Sequence, residues 1–424
     1  MIDPYSIVPT PPSLPFVLNS NPITQKGSLQ EAYSQTAQFT APKYRPACAL
    51  VPTLSNDPRF TSLQSGQKSI TNVYLALNLI NNKNILPTFL HELPTFISYL
   101  HNHRFFISIL ENGSSDMTPG FLVLLSKVLD TLGVSYEITV RGETDKPEKS
   151  NGRRISELAR VRNGAMQALY DGSAAEKMGI DNFDLVLFMN DIVWCAADLL
   201  ETLYEHVNKQ AHMTCATDWG GKVVYDRWVA RTMTGLPFYL QKDLKEYFGD
   251  PNPGKPPYPR PLPDDPDARE KLLSLEPFQV FSCWNGAAFI NPKAFFNGTV
   301  SLPTSSSLSA TDLPRTNDAI RFRMAKNDGD KKVTEKASEC YLICVDLWLR
   351  GLGKILLVPR ASVAYDLNEY SLVRQDGGRT KPHPIGIEPS SSRIHPPPPF
   401  VWNDIPPTEV VYHDWAQWYA PETI

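Results

Sequence analysis

Short, uninterrupted apolar runs alternate along this chain with longer stretches in which apolar residues recur every three or four positions, and the alternation starts near Ile70. Val73-Tyr74-Leu75-Ala76-Leu77-Asn78-Leu79 is too short for a typical helix and has no polar face, so it predicts a strand buried on both sides. Polar Asn81-Asn82-Lys83-Asn84 follows, then a helix over 86–100. The next unit repeats the pattern: a strand over 105–110, a polar loop over 111–118, and a helix over 121–132 that Pro119 helps to start. A third strand is predicted over 136–140. Beyond a charged loop over 141–152, a helix over 155–170 leads to the apolar run Leu185-Val186-Leu187-Phe188-Met189, the central strand, which ends in Asn190-Asp191. Strands alternating with helices of these lengths predict an α/β fold with a parallel, nucleotide-binding type of sheet.

The second half has fewer helices and more aromatic residues in loops, which suits a surface for sugars or other flat polar ligands. A strand running into a loop is predicted over 212–219, with Tyr225-Asp226-Arg227-Trp228 just beyond, and a turn feeding a strand over 281–290. Ser338 starts a helix with Glu339 in its first turn, and 355–363 is another apolar strand. Residues 249–267 predict an exposed, ordered, Pro-dense loop. Residues 374–399 predict weak structure ending in polyproline II at 396–399. Residues 1–68, rich in Pro, Ser, Thr and Gln without a sustained period, predict a stem that partly drapes over the core. The segment 410–415 returns to apolar character and is expected to dock on the core.

Composition narrows the possibilities. With 424 residues, 42% hydrophobic and 20% charged, the chain has ample material for a large core. A net charge of -4 and the lack of a Lys/Arg run exclude an evident nucleic-acid partner. No apolar stretch approaches the ~20 residues that cross a bilayer, and the start lacks the pattern of a signal peptide. The chain is therefore expected to be soluble as given, with any membrane anchor upstream of it. Six cysteines without a C-x-x-C pair or zinc-finger spacing predict buried thiols or a few disulfides. Asn112-Gly113-Ser114 and Asn297-Gly298-Thr299 are glycosylation acceptor sequons.

Ligands of open α/β sheets bind beyond the carboxyl ends of the strands, so Asn190 and Asp191 stand where a metal ion or phosphate is handled; the competing role for Asp191 is capping the next helix, predicted over 196–206. In the helix before it, Ile155, Leu158, Ala159, Ala165, Met166 and Leu169 form an apolar stripe, and Arg162 falls on that stripe. An inward cation needs an anion. Either Glu157 or Asp184 supplies an internal salt bridge, or Arg160 or Arg162 reaches a bound diphosphate. Glu339 has a plain alternative too, compensation of its helix dipole.

Leu75 to Asn82, Ser108 to Thr118, Arg154-Ile155 with Leu158-Ala159-Arg160-Val161-Arg162-Asn163, Phe188 to Val193, Cys283-Trp284-Asn285-Gly286 and Ser338-Glu339-Cys340 resemble, in order, the motifs of the fungal cryptococcal-type α-1,3-mannosyltransferase family associated with capsule synthesis. The resemblance covers residues from about 70 to 365. It implies a GT-A glycosyltransferase fold, a GDP-mannose donor, a divalent metal (Mn2+ or Mg2+), a mannose-containing glycan acceptor, an α-linked product formed with retention, and a type II membrane protein of the Golgi lumen. On that reading residues 69–370 form the catalytic domain, with 69–195 its nucleotide-binding half and 196–370 its acceptor-binding half, and 371–424 returns to the core. Asp191, Glu339 and Arg162 are the implied catalytic residues. Asn78, Asn82, Glu111, Arg160, Arg162, Asn163 and Asn190 face the donor, while Asp218, Trp219, Asp226, Trp284, Asn285 and Gly286 face the acceptor sugar. A strict Asp-x-Asp is absent, because Asn190-Asp191-Ile192 offers one carboxylate, so the metal needs a ligand from a distant segment, for which His413 is the candidate. Glu339 orients hydroxyls and stabilises oxocarbenium-like charge. A non-catalytic polysaccharide-binding protein on the same fold is the rival reading. A nucleotidyltransferase is a weaker one, because Leu79-Ile80-Asn81-Asn82 has no Gly-rich phosphate loop.

Overall fold

The structure is a computed structural model, and it describes residues 8–20, 26–64, 70–142, 154–220, 223–249, 259–298, 316–325, 337–375, 379–380, 400–411 and 415–416. Its frame is one mixed sheet. In chain order the strands are β1 (Phe16–Asn19), β2 (Asn72–Leu79), β3 (Arg104–Glu111), β4 (Ser135–Val140), β5 (Leu185–Met189), β6 (Met213–Gly220), β7 (Val223–Val224), β8 (Arg231–Thr232), β9 (Phe278–Ser282), β10 (Ala287–Ile290) and β11 (Ile355–Ala364). They lie in the order β1-β4-β3-β2-β5-β10-β6-β11-β9-β8, with β7 against β6.

The apolar runs form strands because each has a buried partner surface on both sides. Tyr74 and Ala76 of β2 pack with the helix Arg154–Ala165 on one face, while Leu75 and Leu77 pack with helices Leu86–Tyr99 and Thr118–Leu132 on the other. β2 pairs in parallel with β3 and β5, and β3 with β4. The parallel pairing expected for the first half holds among β2, β3, β4 and β5, whereas β10, from the second half, runs antiparallel to both β5 and β6. The physical reason is the connection. β10 follows β9 through residues 283–286 alone, without the crossover helix that a parallel neighbour requires, and so enters the sheet from the carboxyl edge of β5. The Trp284-Asn285-Gly286 turn is thereby placed beside Asn190.

The predicted helix over 155–170 stops at Ala165. The Met166 N–H is shared between the carbonyls of Arg162 and Asn163, and the chain continues as the short helices Gln167–Tyr170 and Ser173–Met178. Before Ile70, where no period was legible, helices Leu29–Thr36, Val51–Leu54 and Pro58–Gln64 bury Ala32, Leu54, Phe60 and Leu63, and β1 adds an antiparallel edge to β4. Cys48 is joined to Cys195 and Cys215 to Cys283, while Cys340 and Cys344 are buried free thiols. Near the other end, the Trp402 indole donates to the Lys209 carbonyl at 2.9 Å and Val410 is buried. Residues 250–258 and 381–399 of the Pro-dense stretches lie outside the described residues, as does His413. Among the described residues, no helix is long and apolar enough to cross a membrane.

Candidate active site

The carboxyl ends of β2, β5, β6 and β11 bring one polar cluster together. Asn190, the first residue past β5, donates its N–H to the Gly286 carbonyl at 2.8 Å, which fixes its backbone. Both ends of its side chain are engaged: Oδ1 accepts from Arg162 Nη1 and from the Trp284 indole, each at 3.0 Å, and Nδ2 donates to the Tyr365 hydroxyl at 2.9 Å. Arg162 is the centre of that network. Its Nε meets Glu339 Oε1 at 2.9 Å, and its guanidinium lies 4.9 Å from the Trp284 ring centre and 5.3 Å from that of Phe188. Glu339 itself begins the helix Glu339–Leu349, whose N-cap Ser338 accepts from Cys340 N–H at 3.2 Å.

The inward arginine therefore has a protein anion, but neither of the two expected. Glu157 pairs with Arg160 at 2.9 Å on the exposed side of the helix, and Asp184 accepts from Thr71 and Asn72. Arg160 is thus committed to a surface pair. Asn163 is also used internally, since its amide bonds both backbone groups of Phe322, at 2.7 and 3.0 Å.

Asp191 is half-buried, and Asn82 Nδ2 donates to its Oδ2 at 2.9 Å. Asn82 is held by its own backbone and side chain, with N–H to Thr118 Oγ1 at 2.7 Å and Oδ1 accepting from Ile80 N–H at 2.6 Å. Burial pushes the Asp191 carboxyl above its ordinary value, and the Asn82 hydrogen bond and the Arg162 charge offset part of that. It does not cap the next helix: Asp198 accepts the Cys195 N–H at 2.8 Å and Glu92 the Ala196 N–H at 2.9 Å. A half-buried carboxyl with no cation bonded to it among the described residues suits a divalent metal. Among the described residues, the one close set of three ligand-type side chains, Cys48, Glu92 and Cys195, contains a disulfide and does not include Asp191.

At the ends of β2 and β3, Asn78 Oδ1, Glu111 Oε2 and Asn112 Oδ1 are buried acceptors with no hydrogen-bond partner among the described residues. Asn78 Nδ2 donates to the Val161 carbonyl at 3.0 Å, and Glu111 Oε1 accepts the Ser114 N–H. Orphaned acceptors at a strand edge are where a ligand rich in N–H and O–H groups would be satisfied. On the other side of Asn190, three residues expected to face a sugar are internal. Trp219 is in the core with its indole on Ser362 Oγ at 3.3 Å, and Asp218 and Asn285 have no exposed surface. Trp284 is buried as well, with Phe188 and Phe322 at 5.2 and 5.5 Å. Asp226 is half-buried and accepts from Asn285 N–H at 3.1 Å. Tyr365, whose ring lies 4.7 Å from that of Tyr225, was not foreseen as part of the cluster, although the end of an apolar strand at 363 is the signal that marks it.

A mixed sheet with helices on both faces and its polar cluster at the carboxyl strand ends is a GT-A-like α/β architecture. The chain belongs to the cryptococcal mannosyltransferase 1 family, whose model matches residues 72–346. It is 34% identical over 340 residues to the alpha-1,3-mannosyltransferase CMT1 of Cryptococcus neoformans, covering 78% of this chain and 66% of that relative. The chain thus spans just under two thirds of that relative's length. Solved structures overlay only partially. Staphylococcus aureus TarS (residues 1–349) is 10% identical, with 70% of this chain and 60% of that one covered at a TM-score of 0.32. Glucosyl-3-phosphoglycerate synthase from Mycobacterium tuberculosis, in complex with Mn2+, UDP and phosphoglyceric acid, is 13% identical, with 70% of each chain covered at 0.30. Overlays of that extent carry no weight for the chemistry of this chain.

Proposed function

We propose that this chain is a metal-dependent glycosyltransferase that moves mannose from GDP-mannose to a mannose-containing glycan acceptor, forming an α-linkage with retention. Membership of the mannosyltransferase family supports the sugar. The observation that carries the site is the strand-edge constellation of Asp191 on Asn82 beside Arg162 on Glu339. The orphaned acceptors of Asn78, Glu111 and Asn112 support a donor nucleotide at the ends of β2 and β3. Two disulfides support an oxidising compartment such as the Golgi lumen.

In this reading Asp191 holds the divalent ion, Mn2+ or Mg2+, with His413 as a second ligand, and the ion when bound neutralises charge on the leaving diphosphate. Asn82 fixes the Asp191 carboxyl in one orientation. Arg162 supplies a fixed positive charge beside it, desolvated by the rings around it and so stronger than in water. Glu339 holds that charge in place through Oε1, while its Oε2 accepts from the Ser338 hydroxyl at 3.3 Å, so its effect on the substrate's oxocarbenium-like charge passes through Arg162. With retention, the bond from the anomeric carbon to the diphosphate oxygen breaks while the acceptor oxygen bonds the same face, and the acceptor proton passes to the departing phosphate oxygen. No separate strong base is needed.

The test is a screen of sugar nucleotides with a mannose oligosaccharide, read as release of nucleoside diphosphate. GDP-mannose is the expected donor, and Asp191→Ala is expected to lower turnover about 10²–10³-fold with the melting temperature nearly unchanged. Full turnover in that variant would remove Asp191 from the chemistry. Protein that hydrolyses or transfers from no donor, yet is stabilised by mannan, would instead favour the polysaccharide-binding reading.

A further inference from the structure

The turn that carries Trp284 is gripped by two acids. Asn285 and Gly286 both have left-handed backbone, at φ +50° and +80°. Asn285 Nδ2 donates to Asp218 Oδ1 at 2.8 Å, and its backbone N–H donates to Asp226 Oδ2 at 3.1 Å. The two acids are themselves joined, because the Asp226 N–H donates to Asp218 Oδ1 at 3.2 Å, while Asp226 Oδ1 accepts from Val229 N–H at 3.2 Å. The two bonds from these acids to the turn both land on Asn285.

From there the constraint runs outward to the site. The Trp284 indole and Arg162 share Asn190 Oδ1, and the Gly286 carbonyl holds the Asn190 N–H. A Cβ at Gly286 would lie 2.9 Å from Ile192 Cγ2 and 3.1 Å from Val363 Cγ2, so the turn is seated without slack against the residue next to Asp191. Asp218 has no exposed surface, and its Oδ2 is buried with no partner among the described residues. Contact with a sugar hydroxyl is closed to it in this arrangement.

Resting on the glycosyltransferase reading above, we propose that Asp218 is a positioning residue: by clamping Asn285 it fixes the 284–286 turn, and through Trp284 and Gly286 the orientation of Asn190, Arg162 and the Asp191 loop. What the clamp uses is the acceptor Oδ1 and the shape of the group, both of which an amide reproduces. Its electrical surroundings agree. Asp226 lies beside it, Tyr365 and Glu339 face the same pair, and Arg231 is the cation on the Asp226 side. Burial first, and the Asp226 charge second, push the Asp218 carboxyl well above the usual carboxylate range, the direction that favours a neutral, amide-like group there.

Three variants, Asp218→Ala, Asp218→Asn and Asn285→Gly, test this with kcat, donor KM and melting temperature measured on each. Asp218→Ala is expected to lower kcat at least tenfold with donor KM within twofold, and Asp218→Asn to restore most of that loss. Asn285→Gly keeps the left-handed backbone accessible while deleting the side-chain grip, so it folds and reproduces the kcat loss even if Asp218→Ala does not fold. An Asp218→Asn protein as inactive as Asp218→Ala would mean that the charge itself acts on metal or substrate, and would overturn the proposal. So would Asn285→Gly turning over like the parent. If the parent turns over no sugar nucleotide, the glycosyltransferase reading fails, and the clamp is judged by stability alone: Asp218→Asn must melt within about 2 °C of the parent and Asn285→Gly several degrees lower.

Discussion

Arg162 occupies the position where a leucine would complete the apolar stripe of its helix, and on that pattern alone its replacement by Leu should cost nothing. The structure reverses this expectation. Its Glu339 partner is 2% exposed, so Arg162→Leu leaves a buried carboxyl without its cation, and Asn190 Oδ1 loses a donor. A loss of about 3–5 kcal/mol is expected in urea unfolding, with Arg162→Leu/Glu339→Gln recovering a substantial part of it. Equal losses in the single and double variants would show that the pair is not coupled. The same residue illustrates what was legible. An inward arginine is visible from spacing, but its partner lies 177 positions away, and nothing local selects Glu339 over Glu157. Asp191 stands out in the sequence because it follows a strand end, and the structure places it just past β5 on Asn82. Asp218 and Trp219, expected at the sugar, are buried here: residues at a strand end point up or into the core according to the strand beside them, in this case β11, whose Ser362 takes the Trp219 indole.

Elements with long apolar runs or clear periods were legible, because each buries itself regardless of its neighbours: β2, β3, β5, β11 and helices Thr118–Leu132 and Ala196–Lys209 all lie where the pattern puts them. Direction and pairing were not. β10 has the same composition as a parallel strand, and only its connection to β9 turns it round. β1 has four residues and is a strand by virtue of β4. The joint between the Ala196–Lys209 helix and β6 gives an element-scale prediction. His206 bonds Thr214 Oγ1 at 2.9 Å, and the His212 ring accepts the Lys354 N–H at 3.3 Å. Burial, with the neighbouring His212, holds His206 at about 3, and burial, with Lys354, holds His212 at about 4. Below the ordinary value near 6.5 the unfolded chain therefore takes up protons that the native joint refuses. Stability is complete above that pH and drains as pH falls toward 4, by up to about 1.4 kcal/mol per pH unit for each ring. Urea midpoints between pH 7.5 and 4.5 check this, with His206→Gln expected to flatten the acid limb; an unchanged slope in that variant would assign the acid loss to other groups.

At the scale of the whole molecule, two disulfides hold different parts of the same site. Cys48–Cys195 closes 147 positions and ties the N-terminal helices to the residue that precedes the Ala196–Lys209 helix. The Asp191 loop does not depend on it alone, since Asn190 N–H is on the Gly286 carbonyl and Val193 bridges Ala364. Cys215–Cys283 closes 68 positions and joins β6, the strand that carries Asp218, to the residue immediately before Trp284. Loop-closure entropy makes each worth up to about 5 kcal/mol, so both Cys48→Ser/Cys195→Ser and Cys215→Ser/Cys283→Ser should melt well below the parent, the longer loop giving slightly the larger loss. Activity should separate them. Assayed at a temperature where both remain folded, the first pair is expected to keep kcat within a few-fold, because the backbone bonds at Asn190 and Val193 survive. The second is expected to lose at least tenfold in kcat with donor KM little changed, because slack at Cys283 passes directly into the 284–286 turn and from it to Asn190 and Arg162. The reverse ranking would show that the N-terminal helices, rather than the turn, set the geometry of the strand-edge site.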